Sequence, residues 1–272
     1  MAGATRSMTF QENTHFVWYR TWVVAELVLT MATFLVGVWW IGPVVLQSEA
    51  WFKGFILAML ALAALYLAYA SPALIHRDPL PERGLGSWKT GFIRTDNLAA
   101  ALRAFGGITL GGVVLLSGIA IIRRPDVFLT LNWHAFGVKM ALYFFSALGQ
   151  GLYFTFLLTR LRHVIPVGSG IAGSSRTHRL AVSAVMAVFF SLCHAPNPPL
   201  MLLALVGGAC WFWAYYMHPN LFALALSHAV LGTMLHRIVQ LHTRIGPFYG
   251  NRSRHIWCDL LPFVERWIGN LF

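Results

Sequence analysis

Long apolar stretches separated by short polar segments dominate the pattern of this chain of 272 residues. A helix needs about 20 apolar residues to cross a bilayer. Seven stretches meet or approach that length: 22–46, 52–75, 97–122, 137–160, 179–194, 198–217 and 219–238. The pattern predicts an all-α, polytopic membrane bundle of about seven transmembrane helices, the last two forming a tight helical hairpin.

The same pattern divides the chain into three parts. Residues 1–21 form a polar N-terminal segment, 22–238 form a single transmembrane domain, and 239–272 form a basic C-terminal tail. Within the tail, Ile256, Leu260 and Val264 recur on one helical face, which is typical of an amphipathic helix lying on the membrane. If 256–272 crossed the membrane instead, the bundle would have eight helices.

The composition is that of a membrane protein, and its charge favours lipid over nucleic acid as the partner. The chain is 58% hydrophobic and 11% charged, with a mean hydropathy of +0.65, whereas soluble domains contain about 25% charged residues. The net charge of +11 comes from Lys and Arg spread over loops and tail, which favours contact with anionic lipid headgroups over nucleic acid. Basic loops at 76–96 and 160–179 favour a cytoplasmic N-terminus, but the basic tail opposes it, so orientation stays open.

Two histidines, His194 and His228, lie inside apolar stretches. The hydrocarbon core penalises ionisable side chains, so a histidine retained there is a candidate functional residue. A pair of neutral imidazoles on neighbouring helices is suited to a metal, a haem or a polar ligand. The alternative is that each imidazole is satisfied by one hydrogen bond within the bundle.

The flanks of these histidines carry a family resemblance. Phe190-xxx-His194 followed by Ala-Pro-Asn197, then a helix ending at Pro219-Asn220 and Ser227-His228, resembles the CPBP family of CAAX-processing and bacteriocin-processing (Abi) intramembrane proteases. The resemblance covers about 80–238. It implies a CPBP-like helical core in a bacterial cytoplasmic (inner) membrane. It also implies a cavity lined by Phe154, Phe190, Asn197, Ser227 and the two histidines.

The chain departs from the family at two catalytic positions. The family's paired glutamates are replaced by Gln150 and Gly151, and the asparagine that follows the second histidine is replaced by Gly232. In the family, the glutamate is thought to activate a water and the asparagine to stabilise the oxyanion. Gln150 has no useful basicity, so it cannot deprotonate water. We therefore expect a degenerate, non-proteolytic member that serves as an accessory, binding or chaperone-like subunit for a membrane protein or peptide.

Two other functions remain as alternatives. In an active but divergent endopeptidase, Glu26 or a zinc ion at His194 and His228 would replace the lost glutamate, although two histidines are too few ligands for a catalytic zinc site. In a cofactor protein, the same two histidines would ligate a b-type haem. Glu26, the one carboxylate well inside an apolar stretch, has a simpler interpretation, in which it snorkels to the interface or pairs with Arg20.

Overall fold

The computed structural model describes residues 10–41, 49–86, 93–165 and 174–241. Its helices, labelled in chain order, are α1 (Phe10–Val36), α2 (Ala50–Leu65), α3 (Leu98–Arg123), α4 (Trp133–Val164), α5 (Ser174–Leu192), α6 (Pro198–Met217) and α7 (Leu221–Arg237). A π-helical segment extends α1 over Gly37–Ile41 and another extends α2 over Tyr66–Ile75. Short helical turns occupy Leu80–Arg83 and Val127–Thr130.

Each of the seven apolar stretches is mainly helical where the structure describes it, and the predicted all-α class is confirmed. Across the described ranges there is no strand, only an isolated bridge between Leu85 and Ile93. In this part of the chain five helical segments are long and apolar enough to cross a membrane: Tyr19–Val36, Ala50–Ile75, Leu98–Arg123, Trp133–Val164 and Pro198–Met217. The protein is therefore an integral membrane protein. Helix α7 is apolar but shorter, at 17 residues.

Asparagine side chains fix the starts of three helices. The side-chain oxygens of Asn132, Asn197 and Asn220 accept hydrogen bonds from the backbone N–H groups of Ala135, Leu200 and Ala223. Each caps an N–H group that has no partner within its own helix. Asn197 was expected in the cavity, but its side chain is buried and caps α6.

The 32-residue helix α4 lies at the centre of the bundle. It packs against α7, α1, α5 and the π-helical end of α2, while α3 packs against α7 and α6. The turn between α6 and α7 is as short as expected, but these helices do not form a packed hairpin. Helix α6 lies mainly along α5, and α7 lies mainly along α4.

The connection before α3 holds the α6–α7 turn in place. The guanidinium of Arg94 donates hydrogen bonds to the carbonyls of Pro81 at 2.6 Å and Pro219 at 3.2 Å. Asp96 accepts from Arg94 at 2.8 Å, and this hydrogen bond lowers the pKa of Asp96 below its usual value. Gly84 has φ +65° and its carbonyl accepts the Leu221 N–H at 3.0 Å. These contacts fix where α7 begins.

The first predicted domain boundary falls within the described residues, and part of the C-terminal tail falls outside them. Helix α1 begins at Phe10, inside the segment expected to be a polar N-terminal extension. The expected amphipathic helix at 256–272 lies outside the described residues.

Candidate functional site

His194 lies in the turn between α5 and α6. Its backbone N–H donates to the Ser191 carbonyl at 2.9 Å, which continues the last turn of α5. The Nδ1 atom is 2.6 Å from the Phe190 carbonyl oxygen. A carbonyl only accepts, so Nδ1 carries the proton in the neutral imidazole and Nε2 keeps its lone pair. His194 is half-buried.

His228 lies in the middle of α7, and its ring is surrounded by aromatic side chains. The centroid of Trp211 lies 4.9 Å from the imidazole centroid, and that of Tyr143 lies 5.5 Å away. The Tyr143 hydroxyl oxygen is 3.3 Å from Nε2 of His228. This hydrogen bond joins the second histidine to α4, a contact that the sequence pattern did not indicate.

Phe190 brings the two histidines into one site. Its ring centroid is 4.8 Å from that of His194 and 5.8 Å from that of His228, with both rings in edge-to-face contact. The two imidazoles are close enough to interact electrostatically. Phe154 packs edge-to-face on Phe190 at 4.9 Å and is buried. Two residues of the expected cavity are therefore close to the histidines: Phe190 contacts both imidazoles, and Phe154 packs on Phe190.

Ser227 has a packing role that differs from the expected cavity position. The Trp211 indole N–H donates to its Oγ at 2.9 Å, and its Oγ is 2.7 Å from the Thr109 Oγ1. Thr109 in turn donates to the Phe105 carbonyl at 2.7 Å. In this arrangement Trp211 donates to Ser227, Ser227 donates to Thr109, and Thr109 donates to the carbonyl. The chain of hydrogen bonds joins α6, α7 and α3 and holds the Trp211 indole against His228.

Gln150 lies at the rim of the site, on α4. Its side-chain amide donates to the Ser146 Oγ at 3.1 Å, at the exposed surface, and the side chain also lies near the Tyr143 hydroxyl. The neighbouring position, Gly151, is packed against Leu221, whose Cδ1 would lie 2.7 Å from an added Cβ. A second glutamate at 151 would therefore displace Leu221.

Tyr143 occupies the space in which a side chain at position 232 would begin. A Cβ added to Gly232 would overlap the Tyr143 ring, with three ring carbons in the way. The family's asparagine therefore cannot be accommodated at this position unless Tyr143 moves. Tyr143 instead presents its hydroxyl to His228. Gly232 and the Tyr143 ring therefore depend on each other in the packing of α7 against α4.

Glu26 belongs to a separate group of polar side chains, here named the Glu26–Arg160 cluster, which comprises Glu26, Tyr66, Ser71, His76, Asp78 and Arg160. Arg160 Nε lies 2.9 Å from Glu26 Oε2, and Arg160 Nη1 lies 2.8 Å from Asp78 Oδ2. Tyr66 donates to Glu26 Oε1 at 2.7 Å, and Ser71 also donates to it. The expected alternatives, snorkelling or pairing with Arg20, do not occur, since Glu26 is buried and Arg20 donates to the Val164 carbonyl.

The Glu26–Arg160 cluster and the histidines lie at different levels of α4. The rise along α4 to Arg160 is roughly 25 Å from Tyr143 and roughly 15 Å from Gln150. The contacts of Glu26 are with Arg160, Tyr66, Ser71 and His76 rather than with His194 or His228. Sequence reasoning treated Arg160 as a loop charge, but its side chain is fully buried. The available signal was a glutamate inside one apolar stretch and an arginine at the end of another, since an ionised side chain in such a position needs a partner.

The histidine site does not fit a catalytic zinc or a haem. Among the described residues no group of three or more His, Cys, Asp or Glu side chains is placed to hold a metal ion. A catalytic zinc needs three protein ligands. A haem iron would need both imidazoles to direct a nitrogen at one central point, whereas Nε2 of His228 faces Tyr143 and the Phe190 ring contacts both imidazoles.

Comparisons of the chain with protein-family models, with curated proteins and with solved structures gave no match in any of the three. The resemblance to the CPBP family consequently rests on the motifs quoted above.

Proposed function

We propose that this chain is a CPBP-like intramembrane protein that does not cleave peptide bonds and acts as a binding subunit for a partner helix in the membrane. In this proposal the histidine site receives a polar group of the partner. The observation that carries it is the pairing of Tyr143 with Gly232 beside His228. The Tyr143 phenol takes the place of the family's asparagine, and Gln150 takes the place of its catalytic glutamate.

Replacement of the base by Gln150 is expected to remove most of the catalytic rate, since a general base contributes about 10²–10⁴-fold. The exchange of asparagine for Tyr143 is not counted as a further loss, because a tyrosine hydroxyl can also donate to an oxyanion. Within the described residues the only carboxylate in the apolar part of a span, Glu26, is paired with Arg160. The remaining polar groups include two neutral imidazoles, and in this proposal they hydrogen-bond to the partner.

The site has the properties expected of a contact for a polar residue in an apolar partner. His194 Nε2 accepts a hydrogen bond, Tyr143 and Gln150 donate or accept, and Phe190 and Trp211 supply apolar walls. Ser146, the partner of Gln150, is exposed on α4, so this edge of the site is at the surface of the bundle. Polar side chains in membranes commonly hydrogen-bond across helices.

A binding assay with a defined probe tests this function. The protein in lipid nanodiscs is titrated against a labelled 20-residue apolar helical peptide with one central asparagine, and separately against the peptide with leucine at that position. We expect the asparagine peptide to bind more tightly. Tyr143→Phe is expected to weaken it roughly 2- to 12-fold, the effect of one hydrogen bond. Tyr69→Phe, a change at an exposed tyrosine elsewhere, serves as the matched control.

A proteolysis assay separates this proposal from the active-protease alternative. The protein is reconstituted in liposomes with an internally quenched transmembrane peptide, and cleavage is compared among wild type, His194→Ala and His228→Ala. We expect no cleavage that depends on either histidine. Cleavage abolished by both changes would establish the protease, and equal affinity for the asparagine and leucine peptides would remove the binding function.

A further inference from the structure

A basic cavity lies at the opposite end of α4 from the Glu26–Arg160 cluster. It has a volume of about 330 Å³, within the range of small-molecule sites. Its walls come from the end of α3, the start of α4 and the end of α7. The polar residues that line it are Arg124, Thr130, Asn132, His236, Arg237 and Gln240.

Positive charge is concentrated at this cavity. Arg124, His236 and Arg237 line it, and Lys139 on α4 is close enough to act electrostatically on His236. Among the described residues that line the cavity there is no carboxylate. Cationic groups gathered in a concave surface repel one another and raise the local concentration of anions. An anion in the cavity would relieve that repulsion.

The backbone at the start of α4 also favours binding of an anion in the cavity. Helix α4 begins at Trp133, beside the cavity-lining Asn132, and the N-terminus of a helix of this length carries a partial positive charge. Asn132 uses its side-chain oxygen to cap Ala135 N, so its amide N–H groups remain as donors at the cavity. Arginine guanidinium groups and a helix N-terminus are the donors that bind phosphate in proteins.

Exposed apolar side chains lie close to the cavity-lining residues in the sequence. Leu129 is 90% exposed, Ile122 is 85% exposed and Trp133 is 56% exposed. Trp133 stacks on Phe128 at 6.5 Å, an aromatic grouping typical of the membrane interface. A cationic cavity beside exposed apolar side chains matches a molecule with a phosphate and acyl chains.

We propose that this cavity, here named the α3–α4–α7 cavity, binds a phosphate-bearing anion between Arg124 and Arg237. The same chemistry is offered by the headgroup of an anionic phospholipid and by free inorganic phosphate. This site is independent of the histidine site and of the function proposed for it.

The test uses the full chain purified in a neutral detergent. Thermal stabilisation is measured during titration with dioleoyl phosphatidylglycerol, with dioleoyl phosphatidylcholine and with sodium phosphate at constant ionic strength. We expect phosphatidylglycerol to raise the unfolding temperature in a saturable way and phosphatidylcholine to have no such effect. Saturable stabilisation by inorganic phosphate as strong as that by the lipid would identify free phosphate as the ligand.

Matched variants locate the effect. Arg124→Gln and Arg237→Gln are each expected to weaken binding about ten-fold, as for a lost charge-assisted hydrogen bond. Arg237→Lys, which keeps the charge, is expected to bind more tightly than Arg237→Gln. Arg103→Gln, a change at an exposed arginine near the other end of α3, is expected to bind like wild type. Helical circular dichroism verifies that each variant is folded.

Two results would overturn the proposal. One is an Arg103→Gln variant that loses affinity as much as Arg124→Gln and Arg237→Gln, because binding would then follow net charge alone. The other is equal stabilisation of wild type by phosphatidylglycerol and phosphatidylcholine, because the headgroup charge would then have no role.

Discussion

At the scale of single residues, glycines mark the places where two parts of the protein approach most closely. Gly232 permits the Tyr143 ring to lie against α7, and Gly84 permits the connection before α3 to reach Tyr215 and the start of α7. Other glycines, such as Gly54 and Gly111, have open space around them. The same residue type therefore has different importance at different positions.

Gly232→Ala is expected to lower the free energy of unfolding by about 1–3 kcal/mol, the usual cost of overpacking. The added methyl group forces the Tyr143 ring away from α7, and the hydrogen bond to His228 is lost with it. Thermal unfolding in detergent measures the change. Gly111→Ala, where a Cβ meets open space, is the control and is expected to be neutral or slightly stabilising because alanine favours helix. Equal stability of the two variants would contradict the packing.

Gly84→Ala is expected to cost more than about 1 kcal/mol. An L-residue is disfavoured at φ +65°, and the added Cβ would lie 2.7–2.8 Å from the backbone nitrogens of Leu221 and Asn220. Those nitrogens belong to backbone that cannot rotate away. The unfolding temperature is compared with that of Gly54→Ala, a site with open space. Wild-type stability of Gly84→Ala would show that this connection tolerates a different backbone path.

At the scale of helices, α1, α2 and α4 are joined through buried charge. Arg160 on α4 contacts Glu26 on α1 and Asp78 after α2, and its side chain is 0% exposed. Arginine suits this position because its planar guanidinium donates to two carboxylates at once. Removing one member of a buried pair leaves the other unpaired, which is costlier than removing both.

Glu26→Gln is expected to destabilise the protein by about 3–5 kcal/mol, because Arg160 loses a buried partner. The double variant Glu26→Gln/Arg160→Met is expected to lose less than the sum of the two single variants. The difference measures the coupling between α1 and α4, about 0.5–3 kcal/mol for residues in contact. Additive losses in thermal unfolding would show that the two side chains do not interact.

At the scale of the whole molecule, stability is expected to fall in mild acid through His76. Its side chain is buried, and burial together with Arg160 lowers its pKa below the ordinary 6.5, despite Glu26 Oε2 at 2.9 Å from Nε2. The unfolded chain then binds a proton that the folded chain does not, so stability decreases as pH falls below about 6.5.

Thermal unfolding at pH 7.5 and pH 5.5 measures this effect. The wild type is expected to have the lower unfolding temperature at pH 5.5, and His76→Gln is expected to reduce the difference because glutamine does not titrate. His134→Gln, at an exposed histidine on α4, is the matched control. A pH difference that is unchanged in His76→Gln would assign the acid sensitivity to another group.

The sequence by itself determined the helices and singled out the two histidines. Hydrophobic runs specify transmembrane helices because apolar side chains are favoured in lipid, where the backbone must form its hydrogen bonds within the helix. For this reason the all-α class and the approximate helix positions followed from pattern alone. His194 and His228 stood out because a polar side chain is conspicuous in an apolar run, and Phe190, four residues before His194, shares its helix face.

Only the tertiary structure decided what surrounds those histidines. The contact of Tyr143 with His228 joins residues 85 positions apart, and the contact of Glu26 with Arg160 joins residues 134 positions apart. Such pairs depend on which helix faces meet, and an apolar sequence pattern that is nearly uniform around each helix does not specify them. Gly232 looked like a lost catalytic side chain, and packing showed that the tyrosine of another helix fills its place.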